Sequence, residues 1–408
     1  MIRPSSVLEE VEEGERFDYC ESSDDQVPYE FTVIGAGPGG ISAVANLIDR
    51  SVTRLAWVDP EFEAGMIGSK YREVPSNTTV QTFLDCVSFS PTLLELVRVA
   101  KRPNAYTVLE GFPRDEGVNL GLGAELLRFL TRELISQRST IVKSIRGKVM
   151  LLNFDSKGWN VEVEANRSER ALINFNSSKV VLSIGSRPIR LPPKAALPEI
   201  DLDIALSRSK LQKFLQEKSI KDRDDTKIAV VGSSHSAILV LSNLLDLTER
   251  LTLIHLYRSP LRFAVKMEGW TLYDNTGLKG FAADWAREVY PISRRIQKVQ
   301  ITDHEDNQRR IGVESYEDKD LLLEGCSMVV HGIGFEAIEG PKIMAGKDHK
   351  TRVTFDHRDG CFNLDGLYGC GIAFPELVVD RAGNSERAVG FFKFMKSLKH
   401  FTKLWTKN

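Results

Sequence analysis

No two of the five cysteines form a Cys-x-x-Cys pair, and none of the seven histidines has a second histidine at metal-ligand spacing. The first absence argues against dithiol redox chemistry, which needs two thiols within bonding reach. The second argues against a zinc site of the usual His/Cys type. Long hydrophobic runs are also missing: none approaches the roughly 18 residues that a membrane span needs. Charge of one sign is not in excess, with 54 basic against 56 acidic residues and a formal net charge of -2. Nothing in that balance draws the chain to nucleic acid or to an anionic membrane. Residues Met1 to Val7 lack the apolar core of a signal peptide. Together with scattered cysteines and no disulfide framework, this predicts a cytoplasmic, reducing setting.

At 408 residues with 42% hydrophobic content, the chain is long enough for two or three domains at roughly 150 residues each. The first 28 residues read as an acidic N-terminal arm carrying Glu9, Glu10, Glu12, Glu13, Glu15, Asp24 and Asp25, a composition that favours solvent over a core. Beyond it, two segments share one pattern of apolar β-rich run, small-residue turn and apolar helix-like run. Phe31-Thr32-Val33-Ile34 leads into Gly35, and Ile228-Ala229-Val230-Val231 leads into Gly232. The repetition predicts an α/β chain with two Rossmann-like dinucleotide-binding domains and doubly wound parallel sheets. Small antiparallel β-meanders are expected between 140 and 182, where Gly158-Trp159-Asn160-Val161-Glu162-Val163 alternates with period two. A helix over about 123–137 carries Leu126, Leu127, Leu130 and Leu134 as a core stripe.

The first turn, Gly35-Ala36-Gly37-Pro38-Gly39-Gly40, fits G-x-G-x-x-G after a strand. Gly35 permits the tight turn, Gly37 lets the backbone approach a pyrophosphate, and Gly40 lets helix and strand pack closely. The following helix directs free N–H groups and its positive dipole end at phosphate. The next strand-like run, Leu55-Ala56-Trp57-Val58, ends in Asp59, placed where an acid binds a ribose hydroxyl. The second turn is Gly232-Ser233-Ser234-His235-Ser236-Ala237. Serine replaces the middle glycine, staying small and adding a hydroxyl for phosphate. The run Leu251–Leu256 is followed by Tyr257 and then Arg258, a cation near the place of the first unit's acid. A guanidinium there binds a 2′-phosphate that a carboxylate would repel, so NADPH is expected over NADH; the alternative is a plain surface arginine. His235 reads as a loop histidine without a proton-transfer role.

The order of the G-x-G-x-x-G turn, Ile184-Gly185-Ser186-Arg187-Pro188, the G-x-S-x-S turn and Gly332-Ile333-Gly334-Phe335 resembles the flavin-containing and N-hydroxylating monooxygenases, within the two-dinucleotide-domain flavoproteins. The likeness spans roughly residues 29 to 395. It implies FAD and NADPH as cofactors, an FAD-binding domain of residues 29–195 and 336–408, and an inserted NAD(P)H-binding domain of residues 196–335. Gly185 and Gly334 would mark the crossings between them. Ser76-Asn77 resembles the T-N step of the flavin-containing enzymes, and Val80-Gln81-Thr82-Phe83-Leu84-Asp85 the M-Q-x-S-F-L-K-D run of the N-hydroxylating ones. The resemblance thus makes Asn77 and Gln81 the candidates for shaping the reactive flavin edge, where a C4a-hydroperoxyflavin needs a dry pocket with amide donors; the alternative is an Asn/Thr-rich connecting loop. Leu367–Ile372, with Gly371, resembles the second FAD-contacting strand. The final helix would begin at Arg387-Ala388-Val389-Gly390, its N-terminus near Val389 facing the flavin. The stretch from Leu261 to Tyr290, with Trp270, Tyr273, Asn275 and Trp285, is the candidate specificity element.

Two departures are visible. The F-x-G-x-x-x-H-x-x-x-F fingerprint is absent, and so is the lysine of the N-hydroxylase run. The expected function is therefore an FAD- and NADPH-dependent monooxygenase acting on a nitrogen, sulfur or carbonyl centre of a small-molecule substrate. An NAD(P)H-dependent flavoprotein reductase without oxygenation stands as the alternative, and a flavoprotein-fold scaffold subunit as a second one. An oligomer is compatible with either enzyme.

Overall fold

The computed structural model describes residues 27–155, 157–166, 171–190, 197–220, 226–301, 323, 325–345 and 353–407. The acidic arm up to residue 26, including Cys20, lies outside the described residues.

Tyr29–Ile34 is the centre of the first sheet, flanked in parallel by Leu55–Asp59 on one side and Leu172–Leu182 on the other. Val142–Asp155 pairs in parallel beyond Leu55–Asp59, and Leu367–Gly369 beyond Leu172–Leu182. Four consecutive buried residues at the end of Tyr29–Ile34 are what a parallel strand covered on both faces demands. Two of these strands run on past the parallel region. The far ends of Val142–Asp155 and the near end of Leu172–Leu182 pair antiparallel with Gly158–Ala165 to make a three-stranded meander. Gly158–Ala165 buries every second residue, so Trp159, Val161 and Val163 fill a core under the meander.

The second sheet has four parallel strands, in the order Ile296–Gln300, Thr252–Tyr257, Lys227–Val231, Met328–His331. In both sheets the glycine-rich turn leaves the carboxyl end of a strand flanked by parallel neighbours on both sides, so the chain crosses first to one side and later to the other. Such switch points are where open α/β sheets bind ligands. Ser186–Pro188 and Phe335–Ala337 pair antiparallel where the chain passes between the two sheets.

The final helix is Phe391–Trp405, with Gly390 before it at φ 137°. Arg387 and Ala388 belong instead to the strand Ser385–Ala388, paired with Glu376–Val379. The expectation of a helix start at Arg387 is thus corrected by four residues, and Val389 lies between strand and helix. The helix buries Phe391, Phe394, Met395, Leu398, Phe401 and Trp405 against the first core. At about 1.5–3 kcal/mol for each large apolar side chain, that face makes it a core helix, with Lys396, Lys399 and Lys403 left in solvent.

Candidate active site

Each turn is fixed by its neighbours in the sheet. Gly35 has φ 105°, and a Cβ there would lie 2.2 Å from the Ser183 carbonyl oxygen. Gly232 has φ 124°, with the Gly332 carbonyl oxygen at the same 2.2 Å. Both positions therefore exclude any other residue on conformation and on space. The helices that follow, Pro38–Ile48 and His235–Leu247, start without a side-chain cap, so their first N–H groups are left for another acceptor.

Asp59 supports the first turn directly. Its Oδ2 accepts from the Ala36 N–H at 2.7 Å, and its Oδ1 accepts from Glu61 and Phe62 at 2.8 and 2.7 Å. Oδ2, with a single bond, keeps acceptor capacity for a sugar hydroxyl. Trp57 Nε1 donates to the Gly35 carbonyl at 3.0 Å. Gly371 packs on the same turn: a Cβ on Gly39 would come within 2.8 Å of Gly371 Cα. The second turn has a corresponding support that composition and motif did not reveal. His255 Nε2 lies 2.6 Å from the Gly232 carbonyl, and its Nδ1 2.7 Å from the Tyr290 hydroxyl. Burial depresses the pKa of His255, so it is neutral and donates from Nε2 while Nδ1 accepts. The signal lay in the repeat itself, since His255 pairs with Val230 as Trp57 pairs with Val33.

The predicted residues do not all converge. Ser76-Asn77 belongs to a strand, Pro75–Thr79, and Gln81 to the helix Val80–Ser88 capped by Thr79, so the connecting-loop alternative is replaced by regular structure. Asn77 Nδ2 reaches His235 Nε2 at 3.5 Å, joining the first half of the chain to the second turn. The same nitrogen accepts the Lys279 N–H at 3.0 Å. Burial, reinforced by the Lys279 charge, pulls the His235 pKa down to about 4. Gln81 is exposed, and its amide donates to Asp85 Oδ1 at 2.7 Å. No hydrogen bond among the described residues joins it to Asn77 or to either turn. Ser233 and Ser236 are half-buried, and Ser234, like Arg258, is exposed, Arg258 directly past the end of Thr252–Tyr257. Gly185 and Gly334 sit at the paired crossing, where Ile338 donates to the Gly185 carbonyl and Ile189 to the Gly334 carbonyl. Trp285 packs in the core of the second sheet. A cavity of about 550 Å³ beside Phe355 and Phe362 is lined by none of these residues.

Burial pushes Cys86 well up and Cys361 and Cys370 to about 12, so each is a protonated, poor nucleophile. Among the described residues no cluster suits a metal ion, and no helix is long and apolar enough to cross a membrane.

Two parallel sheets, each opening at a small-residue turn and joined through a paired crossing, define the fold of the two-dinucleotide-domain flavoproteins. The crystal structure of DfoA bound to FAD, a cadaverine monooxygenase of desferrioxamine biosynthesis from Erwinia amylovora, superposes over 94% of this chain and 95% of its own with a TM-score of 0.56 at 12% identity. The bacillithiol disulfide reductase Bdr from Bacillus cereus does so over 93% and 99%, with a TM-score of 0.50 at 12% identity. No protein-family model matches the chain. The sequence is 36% identical over 394 residues to the monooxygenase AgnR1 of Paecilomyces divaricatus, covering 91% of this chain and 97% of that protein. The chain belongs to that monooxygenase family and is an oxidoreductase.

Proposed function

We propose that the protein is an FAD-dependent monooxygenase that draws electrons from NADPH and inserts one oxygen atom into a nitrogen, sulfur or carbonyl centre of a small molecule. In this reading residues 29–195 and 336–408 hold FAD and residues 196–335 hold NADPH. The observation that carries it is the contact between Asn77 and His235, which brings the second turn to the first unit so that two nucleotides could share one cavity.

The residues fit the groups. At Gly37 an added Cβ would meet only Gly65, at 3.9 Å, so the mouth of the first turn has room for a pyrophosphate. The uncapped N–H groups after Gly37 would bind it, and Asp59 would take the ribose. The N-terminus of the final helix, next to Val389, would favour negative charge on the flavin ring. Ser233, Ser234 and Ser236 would bind the second pyrophosphate, and Arg258 the 2′-phosphate. Bound FAD would supply the acceptance of hydride and the activation of dioxygen. The neutral His235, whose Nε2 lone pair takes the Lys279 N–H, would lie against Asn77 and offer no acidic proton at neutral pH. Gln81, whose amide is taken by Asp85, is left out of the site. Among the described residues the thiols of Cys86, Cys326, Cys361 and Cys370 are all raised by burial, which supports oxygen transfer over disulfide reduction.

The test is anaerobic reduction of the purified protein by NADPH, followed by turnover under ¹⁸O-labelled dioxygen with a panel of amines, thioethers and ketones. One labelled oxygen in a product is expected. A colourless protein without FAD, or a flavin that NADPH leaves oxidised, would sink the proposal; reduction with no labelled product from any class would favour the reductase alternative.

A further inference from the structure

Outside the two turns, the described residues contain one continuous polar chain that ties the final helix to His235. Lys393, in the first turn of Phe391–Trp405, bonds Asp274 Oδ2 at 2.8 Å, the Asp274 carbonyl at 3.1 Å and Asn275 Oδ1 at 2.5 Å. Lys279 holds the other oxygen of Asp274. From the opposite side the buried Glu386 accepts from the Asn275 N–H and side-chain amide, at 3.0 and 3.2 Å, and from the Thr276 hydroxyl. Burial pushes the Asp274 carboxyl up, but the bonds and charges of Lys279 and Lys393 outweigh it and hold the group below its usual range. A half-buried carboxylate gripped by two ammonium groups fixes geometry better than an exposed pair would. Gly277 leaves no slack, because a Cβ there would fall 2.3 Å from the Ala264 nitrogen. The tied loop then delivers the Lys279 N–H to His235 Nε2.

We propose that Asp274 is a positioning residue: clamped between Lys279 and Lys393, it holds the second turn against Asn77 and sets the distance across which the nicotinamide passes hydride. This rests on the nicotinamide-to-flavin reading above. Donor–acceptor distance enters the rate of transfer far more steeply than it enters coenzyme affinity. The clamp therefore acts on the rate of flavin reduction and leaves phosphate binding to the turn itself.

Full-length, FAD-loaded Asp274→Ala and Asp274→Glu proteins test it by stopped-flow reduction over a range of NADPH concentrations. In Asp274→Ala the limiting reduction rate should fall by roughly ten- to a hundred-fold, with half-saturation and FAD content near those of the wild type. Asp274→Glu, which keeps the charge, should recover part of the rate. Hydrogen exchange across residues 274–282 supplies a readout independent of turnover: Asp274→Ala should lose protection there and Asp274→Glu should regain it. An unchanged limiting rate, a change confined to half-saturation, or unchanged exchange would overturn the proposal. If Asp274→Ala does not fold, Asp274→Asn carries the same expectations. A wild-type flavin that NADPH does not reduce would defeat the functional reading itself, whereas a normally reduced wild type beside an equally fast variant would defeat the clamp alone.

Discussion

The two glycine-rich turns solve one geometric problem with different residues. Each needs a carbonyl pinned by a donor from the adjacent strand, and each needs space where helix meets sheet. In the first, Trp57 supplies the donor to Gly35; in the second, His255 supplies it to Gly232, itself braced by Tyr290. The space is arranged differently as well. At Gly40 an added Cβ would strike the Gly35 carbonyl oxygen at 1.8 Å. The second turn carries Ala237 in that place, and the room comes from the neighbouring strand, where a Cβ on Gly332 would lie 2.9 Å from Ala237 backbone atoms. A turn of this kind is thus specified by the sum of contacts across three strands, and the glycine pattern is one of several ways to satisfy it. The carbonyl of the first turn is held by an indole, which does not titrate. The second depends on two histidines, so pH should distinguish them.

Five experiments would break or sharpen this contrast. The largest effect is expected for Gly40→Ala, where backbone must move to admit the methyl group: a loss of about 3 kcal/mol or more and no retained FAD, read by thermal unfolding and flavin absorbance. Gly332→Ala should instead cost about 1–3 kcal/mol and weaken NADPH while FAD stays bound; equal loss of both nucleotides would mean the turns are not independent. Arg258→Glu comes next. Losing a charge-assisted contact and gaining a repulsion should cost about 2–3 kcal/mol of NADPH affinity, with NADH little changed; unaltered NADPH half-saturation would remove Arg258 from the site. His255→Phe leaves the Gly232 carbonyl without its donor, at about 1–3 kcal/mol, and should raise NADPH half-saturation, whereas Trp57→Phe should act on FAD. The smallest effect is pH dependence. His235 titrates near 4 in the folded chain against an ordinary 6.5. Its contribution to stability is therefore complete above about pH 6.5 and lost as pH falls from 6.5 toward 4, where a protonated Nε2 can no longer accept the Lys279 N–H. NADPH-driven reduction by the folded wild type should hold through that window and fall only as the pH approaches 4, where His235 itself takes up a proton, and a His235→Asn protein should show a flatter profile.

The local signals were legible because they are local. Both central strands, both turns, the alternating strand at Gly158–Ala165 and the helix Leu120–Gln137 follow from hydrophobic period and glycine placement within a few residues. The place of Asp59 at the end of its strand was legible too, though its backbone partners were not. What escaped the sequence depends on distant pairing. The strand Ser385–Ala388 hides in a segment that reads as a helix start, and only its partner Glu376–Val379 reveals it. Trp285 looks like a pocket aromatic until the second core closes over it. Gln81 sits in a run of family-like residues, but the helix that begins at Val80 turns its amide to Asp85. The Asp274 clamp joins positions more than a hundred residues apart, beyond any periodicity.

The antiparallel pairing of Ser186–Pro188 with Phe335–Ala337 has an architectural consequence. The chain departs from the first sheet and returns to it at one spot, so everything between those strands is a closed loop whose ends are already tied. Because the entropy of closing a loop grows only logarithmically with its length, the intervening segment can lengthen or shorten at little entropic cost wherever it leaves the core it shares with Val74 untouched.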